Sequence, residues 1–214
     1  NPNSAVWDGP DADFTPVSDD IPWCMIPEKK ITMEDVKYVL SSHYQGTPYD
    51  PYGNYGDNKM RGAYRSIGVN RTDFMSAIQM RPYVGEDNCA AFNVMVPFYA
   101  NVDTTPEYLA NTGADASTDN FYWTSRMIAA MADASYAKSV FHIERYEEKV
   151  MSKAHEIIYR YDDIMNEQPL GEKLRQQANQ ETTDMVRREA NATLGRVLYE
   201  LSNQMKNSYS RSDA

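Results

Sequence analysis

Cysteine, histidine and positive charge are all scarce in this sequence. The 214 residues include two cysteines and three histidines. Two cysteines are too few for a disulfide framework, and the spacing of Cys24 and Cys89 matches no zinc-binding pattern. Lysine and arginine total 21 against 31 aspartates and glutamates, a net charge of −10. Nucleic acids and anionic membranes attract clustered positive charge, so the sequence predicts neither as a partner.

The common catalytic and cofactor motifs are absent as well. There is no P-loop, no G-x-S-x-G and no G-x-G-x-x-G, and no apolar run approaches the roughly 18 residues of a membrane span. "HEIIY" at 155–159 lacks the second histidine of the zinc proteases, and "HIE" at 142–144 lacks the P-C-x-x-C of the deaminases. We therefore expect no metal and no cofactor.

The cysteines and the first residue bear on where the protein works. Two free thiols suit a reducing compartment, so we expect a cytoplasmic protein, with secretion left open. The chain opens at Asn1, without an initiator methionine or a signal peptide. We interpret it as a processed chain or a fragment.

Composition divides the chain into three segments of one α+β domain. Residues 1–22 are rich in Pro, Asp and Ser and are predicted to be an extended lead-in. Residues 23–116 carry a helix, a tyrosine-rich loop and a sheet-forming segment. Residues 117–214 are predicted to be helical. Hydrophobic residues make up 42% of the sequence, enough for a real core.

The middle segment gives one helix and three candidate strands. "ITMEDVKYVLSSHY" predicts a helix that starts with a Thr32–Asp35 capping box and places Val36, Val39, Leu40 and His43 on one face. Residues 67–69 and 75–80 predict a hairpin through "NRTD". "AAFNVMVPFYA" is a third run, with Pro97 at a strand end or edge. Since all three runs are apolar at most positions, we expect a sheet covered on both faces.

The last segment predicts two long helices. The first starts at Ser117 as a candidate N-cap, and "NEQPLG" ends it. The second helix has thin apolar content, so we expect it to bury one narrow stripe. That stripe consists of Leu174, Met185, Val186, Leu194, Val197, Leu198 and Leu201.

A group of arginines lies beside the tyrosine-rich loop "SSHYQGTPYDPYGNYGDNK" of residues 41–59. Arg61, Arg65, Arg71 and Arg81 lie in or next to the strand candidates. The planar guanidinium suits carboxylate recognition, so one of them is a candidate for holding a peptide carboxylate or a reacting oxyanion. The alternative is that each arginine pairs with a structural acidic residue.

Four motifs together resemble one enzyme family. "VLSSHYQGTPYDPYG", "YRSIGVNRTDFMSAIQMRP", "FNVMVPFYANVDTTPEYL" and "STDNFYW" occur in the order and approximate spacing of the bacterial dipeptidase A family. These are cysteine peptidases of the N-terminal-nucleophile hydrolase superfamily. The resemblance runs from about Trp23 to the helical C-terminus. It implies a four-layer αββα sandwich and dipeptides as substrates.

The resemblance also implies a mechanism, in which the α-amino group of an N-terminal cysteine acts as general base for its own thiol. Asn1 has no nucleophile, and Cys24 and Cys89 are internal. We therefore interpret the chain as the C-terminal part of a dipeptidase, inactive alone, whose partner is the N-terminal part of the same enzyme. We also expect homo-oligomers, with the largest apolar patch buried against a neighbour.

Site residues follow from the family-like segments. Arg65 and Arg71 are candidates for the arginine that tunes the nucleophile, as in related superfamily members. Tyr44, Gln45 and Tyr49 are candidates for the wall of the substrate pocket, because tyrosine offers an apolar body with a polar tip. Asn120 and Trp123 are lesser candidates.

Two functions from other classes remain open. The polar C-terminal helix suits a binding or oligomerisation module that packs between subunits. The tyrosines of the loop also suit a carbohydrate-binding surface.

Overall fold

The structure, a computed structural model, combines α-helices with one small sheet. It describes residue 14 and residues 18–53, 56–69, 76–81, 90–93, 96–100, 102–109, 113–167 and 171–206. Within these ranges the chain forms four α-helices and a three-stranded antiparallel sheet, which is compatible with part of an α+β fold. Over the same ranges, no helix has both the length and the apolar character needed to span a membrane. The predicted lead-in falls mostly outside them.

Helix α1 (Met33–Leu40) begins at the predicted capping box. The Thr32 hydroxyl accepts from the Asp35 amide, and the Asp35 carboxylate accepts from the Thr32 amide at 2.8 Å. The Thr32 amide, and then the Thr32 hydroxyl, which also donates to this carboxylate, lower the pKa of Asp35. The helix ends at Leu40, so His43 lies in the loop and not on the helix. The predicted apolar face is not the buried one, since Lys37 is the buried residue and Val39 is 52% exposed.

The sheet consists of β1 (Ser76–Gln79), β2 (Ala90–Asn93) and β3 (Pro97–Tyr99), in that order. Ile78 pairs with Ala91, and Phe92 pairs with Pro97. The run predicted as a third strand therefore forms two paired strands. Pro97 opens the edge strand β3, where a missing N–H is tolerated, as expected.

Two expectations about the sheet are wrong. Residues 67–69 form no strand, because the Gly68 amide donates to the Ser42 carbonyl at 2.9 Å and ties this run to the loop. The predicted turn at 70–73 lies outside the described residues. The sheet is also not covered on both faces, since Ile78 in β1 is 65% exposed while Tyr99 in β3 is fully buried.

The first long helix predicted is in fact two, α2 (Phe121–Ala134) and α3 (Tyr136–Glu167). Ser135 has φ −155° and ψ 66°, which breaks the helical path between them. Asn120, rather than Ser117, caps α2 by accepting from the Trp123 amide at 3.2 Å. The Ser117 hydroxyl accepts from the Asp119 amide in the preceding turn.

Helix α4 (Glu172–Ser202) confirms the second long helix but buries a more polar stripe than predicted. Met185, Val186 and Val197 are buried as expected, whereas Leu198 is 54% exposed. Small and polar residues complete the buried face of α4 at helical spacing. This face packs against α2, α3 and β3. The buried polar residues are Arg175, Asn179, Thr182, Thr183, Glu189 and Thr193.

The core joins the sheet to α3 and α4. Val96, next to β3, contacts a cluster that includes Val150 and Ile158 of α3 and Ala178 and Val186 of α4. All five residues are at most 1% exposed. The loop and α1 lie outside this cluster, on the flank of α3.

Candidate functional site

In the structure the tyrosine-rich loop continues past the predicted residues 41–59 to residue 69. A glycine closes this longer loop, residues 41–69, at its base. Gly68 donates to Ser42, and a Cβ at Gly68 would lie 2.6 Å from the Ser41 carbonyl oxygen. No other residue fits this approach without a backbone shift. The loop therefore leaves α1 and returns to it at a fixed point.

The first cluster in the loop holds two of the predicted pocket-wall tyrosines. The rings of Tyr44 and Tyr49 both contact Tyr64, with centroids 6.4 and 5.1 Å apart. The Tyr44 hydroxyl donates to the Arg65 carbonyl at 3.3 Å. Tyr44 has φ of 62°, a left-handed conformation that non-glycine residues rarely adopt and that is common at functional sites.

The polar groups of Gln45 and Tyr49 differ in how many hydrogen bonds they make. The Gln45 side-chain oxygen accepts from the His43 amide at 3.0 Å, so its NH₂ group is the part left to face a ligand. The Tyr49 hydroxyl makes no hydrogen bond within the part of the chain that the structure describes, although its backbone is fixed by Thr47 and Gly62. Tyr49 therefore offers a ring, and a hydroxyl that no described residue occupies, on a turn held by two hydrogen bonds of its backbone.

A second cluster surrounds the buried carboxylate of Asp50. Its Oδ1 atom lies 3.0 Å from Nδ1 of His43 and accepts from the Tyr52 amide at 2.9 Å. The Tyr52 ring contacts both His43 and Tyr136 of α3. Burial first, and then the negative charge of Asp50, raises the pKa of Tyr136. This cluster anchors the loop on the helices.

The four arginines of the predicted group differ in what their side chains contact. Arg81 is buried and pairs with Asp162 at 2.5 Å, and Arg61 donates to the Gly53 carbonyl and the Asn58 side chain, so both are structural. Arg65 is exposed and makes no ion pair with any described residue. Arg71 lies outside the described residues. Arg65 alone thus stays a described candidate for ligand contact.

The Arg81–Asp162 pair belongs to a buried network between the sheet and the helices. The Tyr99 hydroxyl donates to Asp162 at 2.6 Å, and burial together with this carboxylate raises the pKa of Tyr99. Burial lowers the pKa of Arg81, but Asp162 outweighs that effect and raises it overall. The backbone of Tyr99 exchanges two hydrogen bonds with the Asn179 amide, at 2.8 and 2.9 Å. A pair this well satisfied holds structure rather than substrate.

The described residues offer no complete nucleophile site. Cys24 is an exposed free thiol, and Cys89 lies outside the described residues. In the described part of the chain, no group of His, Cys, Asp and Glu side chains has the arrangement of a metal site. What the loop offers is hydroxyls, aromatic faces and one exposed guanidinium.

Two grooves lie on the flanks of α1, away from the predicted pocket wall. One is lined by Glu34 and by α3 residues from Glu148 to Tyr159, and the other by α1 itself. Neither is lined by Tyr44, Gln45 or Tyr49. The lesser candidates also lie elsewhere, since Asn120 caps α2 and the Trp123 indole donates to the Gly113 carbonyl at 3.0 Å.

Sequence reasoning missed Asp50 and Tyr64, which organise the two clusters of the loop. Asp50 has a recognisable signal, because Asp before Pro favours a turn in which its side chain bonds nearby amides. Tyr64 has no such signal. Only the fold of the loop places it between Tyr44 and Tyr49.

Comparison with known proteins gives one family and a consistent group of relatives. The family model described as peptidase family C69 matches residues 3–149. The chain is 48% identical over 172 residues to the "Dipeptidase" of Bifidobacterium longum, covering 76% of this chain and 32% of that protein. It is 41% identical over 201 residues to the "Probable dipeptidase A" of Streptococcus pyogenes serotype M3, covering 89% and 43%. The chain thus matches less than half of the length of either relative.

Proposed function

The chain belongs to peptidase family C69, and on that premise we propose that it is the C-terminal part of a cysteine-type dipeptidase. The observation that carries the proposal is its 48% identity to a protein named as a dipeptidase. Tyr44, Gln45 and Tyr49 form one wall of the substrate pocket. Arg65 and Arg71 are the candidates for the arginine near the nucleophile. The sheet and helices form part of an αββα sandwich.

The proposed reaction uses a nucleophile that this chain does not carry. The α-amine of an N-terminal cysteine takes the thiol proton, and the thiolate attacks the peptide carbonyl carbon. The C–N bond breaks, and the leaving amine takes the proton back from the ammonium group. Water then hydrolyses the thioester, which releases the acid and regenerates the thiol. The charge on the carbonyl oxygen during attack needs fixed donors, and an exposed guanidinium is one such group.

The loop suits a substrate with free termini. An exposed arginine that makes no ion pair with any described residue favours the C-terminal carboxylate of a dipeptide, and Tyr49 and Gln45 supply uncharged donors from the same loop. An apolar tyrosine surface accepts varied side chains, because it contributes area rather than directional bonds. This combination suits dipeptides of mixed type.

Dipeptide hydrolysis tests the proposal directly. The chain is assayed with alanyl-alanine for release of free alanine, alone and after co-expression with the unmatched part of the Bifidobacterium longum relative. We expect activity only in the second case. If that co-expressed pair stays inactive while the intact relative works, the proposed complementation is wrong.

Variants in the loop test the assigned roles within an active pair. Arg65→Lys keeps the charge but loses the planar fork, so we expect KM to rise about tenfold or more. Tyr49→Phe keeps the ring and removes the free hydroxyl, and we expect a smaller rise in KM. Arg126→Lys, at an exposed position on α2, is the matched control and should change neither constant.

An assembly module has weaker support. That alternative rests on the polar character of α4, but its polar residues Thr182, Thr183 and Thr193 are buried inside this chain. They are therefore not free to bind another subunit.

A further inference from the structure

Helix α1 lies on α3 with its polar face inward. Lys37 is 5% exposed, and its ammonium group donates to Glu34 at 3.0 Å and contacts the Met151 sulfur at 3.7 Å. His155 of α3 lies 3.8 Å from the same Glu34 carboxylate. The contacts between α1 and α3 are thus made by charged side chains.

Large apolar side chains on and beside α1 are exposed in the part of the chain that the structure describes. Tyr38 is 60% exposed, Val39 52% and Ile31, just before the helix, 55%. These residues line a groove of about 730 Å³ together with Val36 and Leu40 and with the ion pair of Lys29 and Asp35. Protein interfaces combine apolar contact area with polar and charged groups in this way.

This orientation is the reverse of what burial favours in an isolated domain. A helix on a protein surface normally turns its apolar stripe to the core and its charges to water. Each large apolar side chain left exposed forgoes part of the free energy that its burial would contribute. The inverted helix therefore indicates that a further element covers α1 from outside.

The lengths of the relatives indicate what that element is. The matched region makes up only 32% and 43% of two dipeptidase relatives, so a larger part of such a polypeptide lies beyond what this chain matches. We infer that the face formed by Ile31, Val36, Tyr38, Val39 and Leu40 is the docking surface for that remaining part of the family polypeptide. The inference rests on the proposed function, because it assumes that a nucleophile-bearing part joins this chain.

Binding of α1 variants tests the inference. The tagged chain is co-expressed with the unmatched part of the Bifidobacterium longum relative, purified through the tag and weighed by light scattering. Tyr38→Lys/Val39→Lys places two charges in the centre of the face. Lysine is a good helix former and is favourable near a helix C-terminus, so α1 itself should persist. We expect about a tenfold or larger loss of the co-purified partner.

A matched control exists on α4. Leu198 and Tyr199 are likewise adjacent, 54% and 65% exposed, and near the end of a helix. Leu198→Lys/Tyr199→Lys should leave the co-purified amount unchanged. Circular dichroism of all three proteins should give the same helix content, which separates lost docking from lost folding.

The outcomes separate the docking surface from the activity. Equal co-purification with the α1 variant and the control overturns the inference, as does the absence of any complex with the unaltered chain. A homodimer that the α1 variant abolishes, without binding of the partner, also overturns it in favour of a second copy. A complex that needs Tyr38 and Val39 but does not hydrolyse alanyl-alanine supports the docking surface and counts against the proposed function.

Discussion

The tyrosine-rich loop and the helical layer are stabilised in opposite ways. In the loop, hydrogen bonds link groups close in sequence, such as His43 with Asp50 and Tyr49 with Thr47. Where the helical layer meets the sheet, the buried polar contacts join residues about 80 positions apart, such as Arg81 with Asp162 and Tyr99 with Asn179. The loop is therefore specified locally and presents side chains outward. The packing of the helices on the sheet depends on residues far apart in the sequence, and these residues are buried.

The largest expected effect comes from the distant kind of contact. Asp162→Asn removes the charge that compensates buried Arg81, so we expect a loss of about 3–5 kcal/mol in the free energy of unfolding. Urea unfolding followed by circular dichroism measures it. Asp163→Asn, at an exposed position on the same helix, should change stability by less than about 0.5 kcal/mol. Equal effects of the two variants would show that the buried network is not what joins sheet and helices.

The next effect lies at the base of the loop. Gly68→Ala places a methyl group against the Ser41 carbonyl, and we expect a cost of about 1–3 kcal/mol from the forced backbone shift. Gly113→Ala, where a Cβ meets nothing within 4 Å, is the control. Hydrogen exchange should show faster exchange at residues 41–53 for Gly68→Ala and no change in α3. Faster exchange throughout the chain would mean that the loop and the helices unfold together.

A smaller effect is expected at the start of α1. Thr32→Ala removes the capping-box hydroxyl, which costs about 1 kcal/mol in typical helices. Since α1 lies outside the core cluster, we expect its amides to exchange faster while the midpoint of urea unfolding moves little. Asn120→Ala removes the cap of α2, which packs on α4, and should lower that midpoint instead. A shift of the same size for both variants would contradict the separation of α1 from the core.

The smallest effect concerns a buried carboxylate in the helical layer. Burial raises the pKa of Glu189, but hydrogen bonds and charges of Lys149 and Lys153 outweigh burial and hold it below its usual 4.5. The interaction of Glu189 with the two lysines therefore stabilises the fold at pH values above 4.5. This stabilisation is lost as the pH falls through the lower pKa that Glu189 has in the folded state. Because both lysines are partly exposed, Glu189→Gln should cost only about 0.5 kcal/mol at pH 7.

Urea unfolding at several pH values checks that this stabilisation is lost in acid. The difference between Glu189→Gln and the unaltered chain should shrink between pH 5 and pH 3, by the same reasoning. Glu148→Gln, at an exposed position, is the control and should show no such convergence. A difference that grew in acid would mean that burial, and not the lysines, decides the pKa.

Features that depend on residues close in sequence could be predicted from the sequence, whereas features that depend on distant residues could not. The capping box of α1 was predictable because it involves residues three positions apart, and the long helices because their periodicity extends over many turns. The break at Ser135 was missed, since neither Gly nor Pro marks it. Residues 67–69 have strand-like composition, yet the bond between Gly68 and Ser42 holds them in the loop.

The buried face of α1 shows what local patterns leave undetermined. The spacing of Val36 and Val39 correctly identifies an apolar face, but not whether this chain buries it. That depends on two residues of α3, Met151, which contacts Lys37, and His155, which lies near Glu34, and both are in place only once α3 has packed. In the site, the sequence indicates Tyr44 and Tyr49 as candidates for one pocket wall, and that role stays a prediction. Their contact through Tyr64 was not predictable.

The amide of Asn179 has a consequence for how the sheet can grow. It occupies both backbone groups of Tyr99 in the edge strand β3, as a neighbouring strand otherwise would. A helix side chain thus seals that border against strand addition, which also protects it from aggregation through exposed edges. Within the described residues, a helix side chain therefore closes the edge of β3 at Tyr99, and β1 is the outer strand at the opposite border of the sheet.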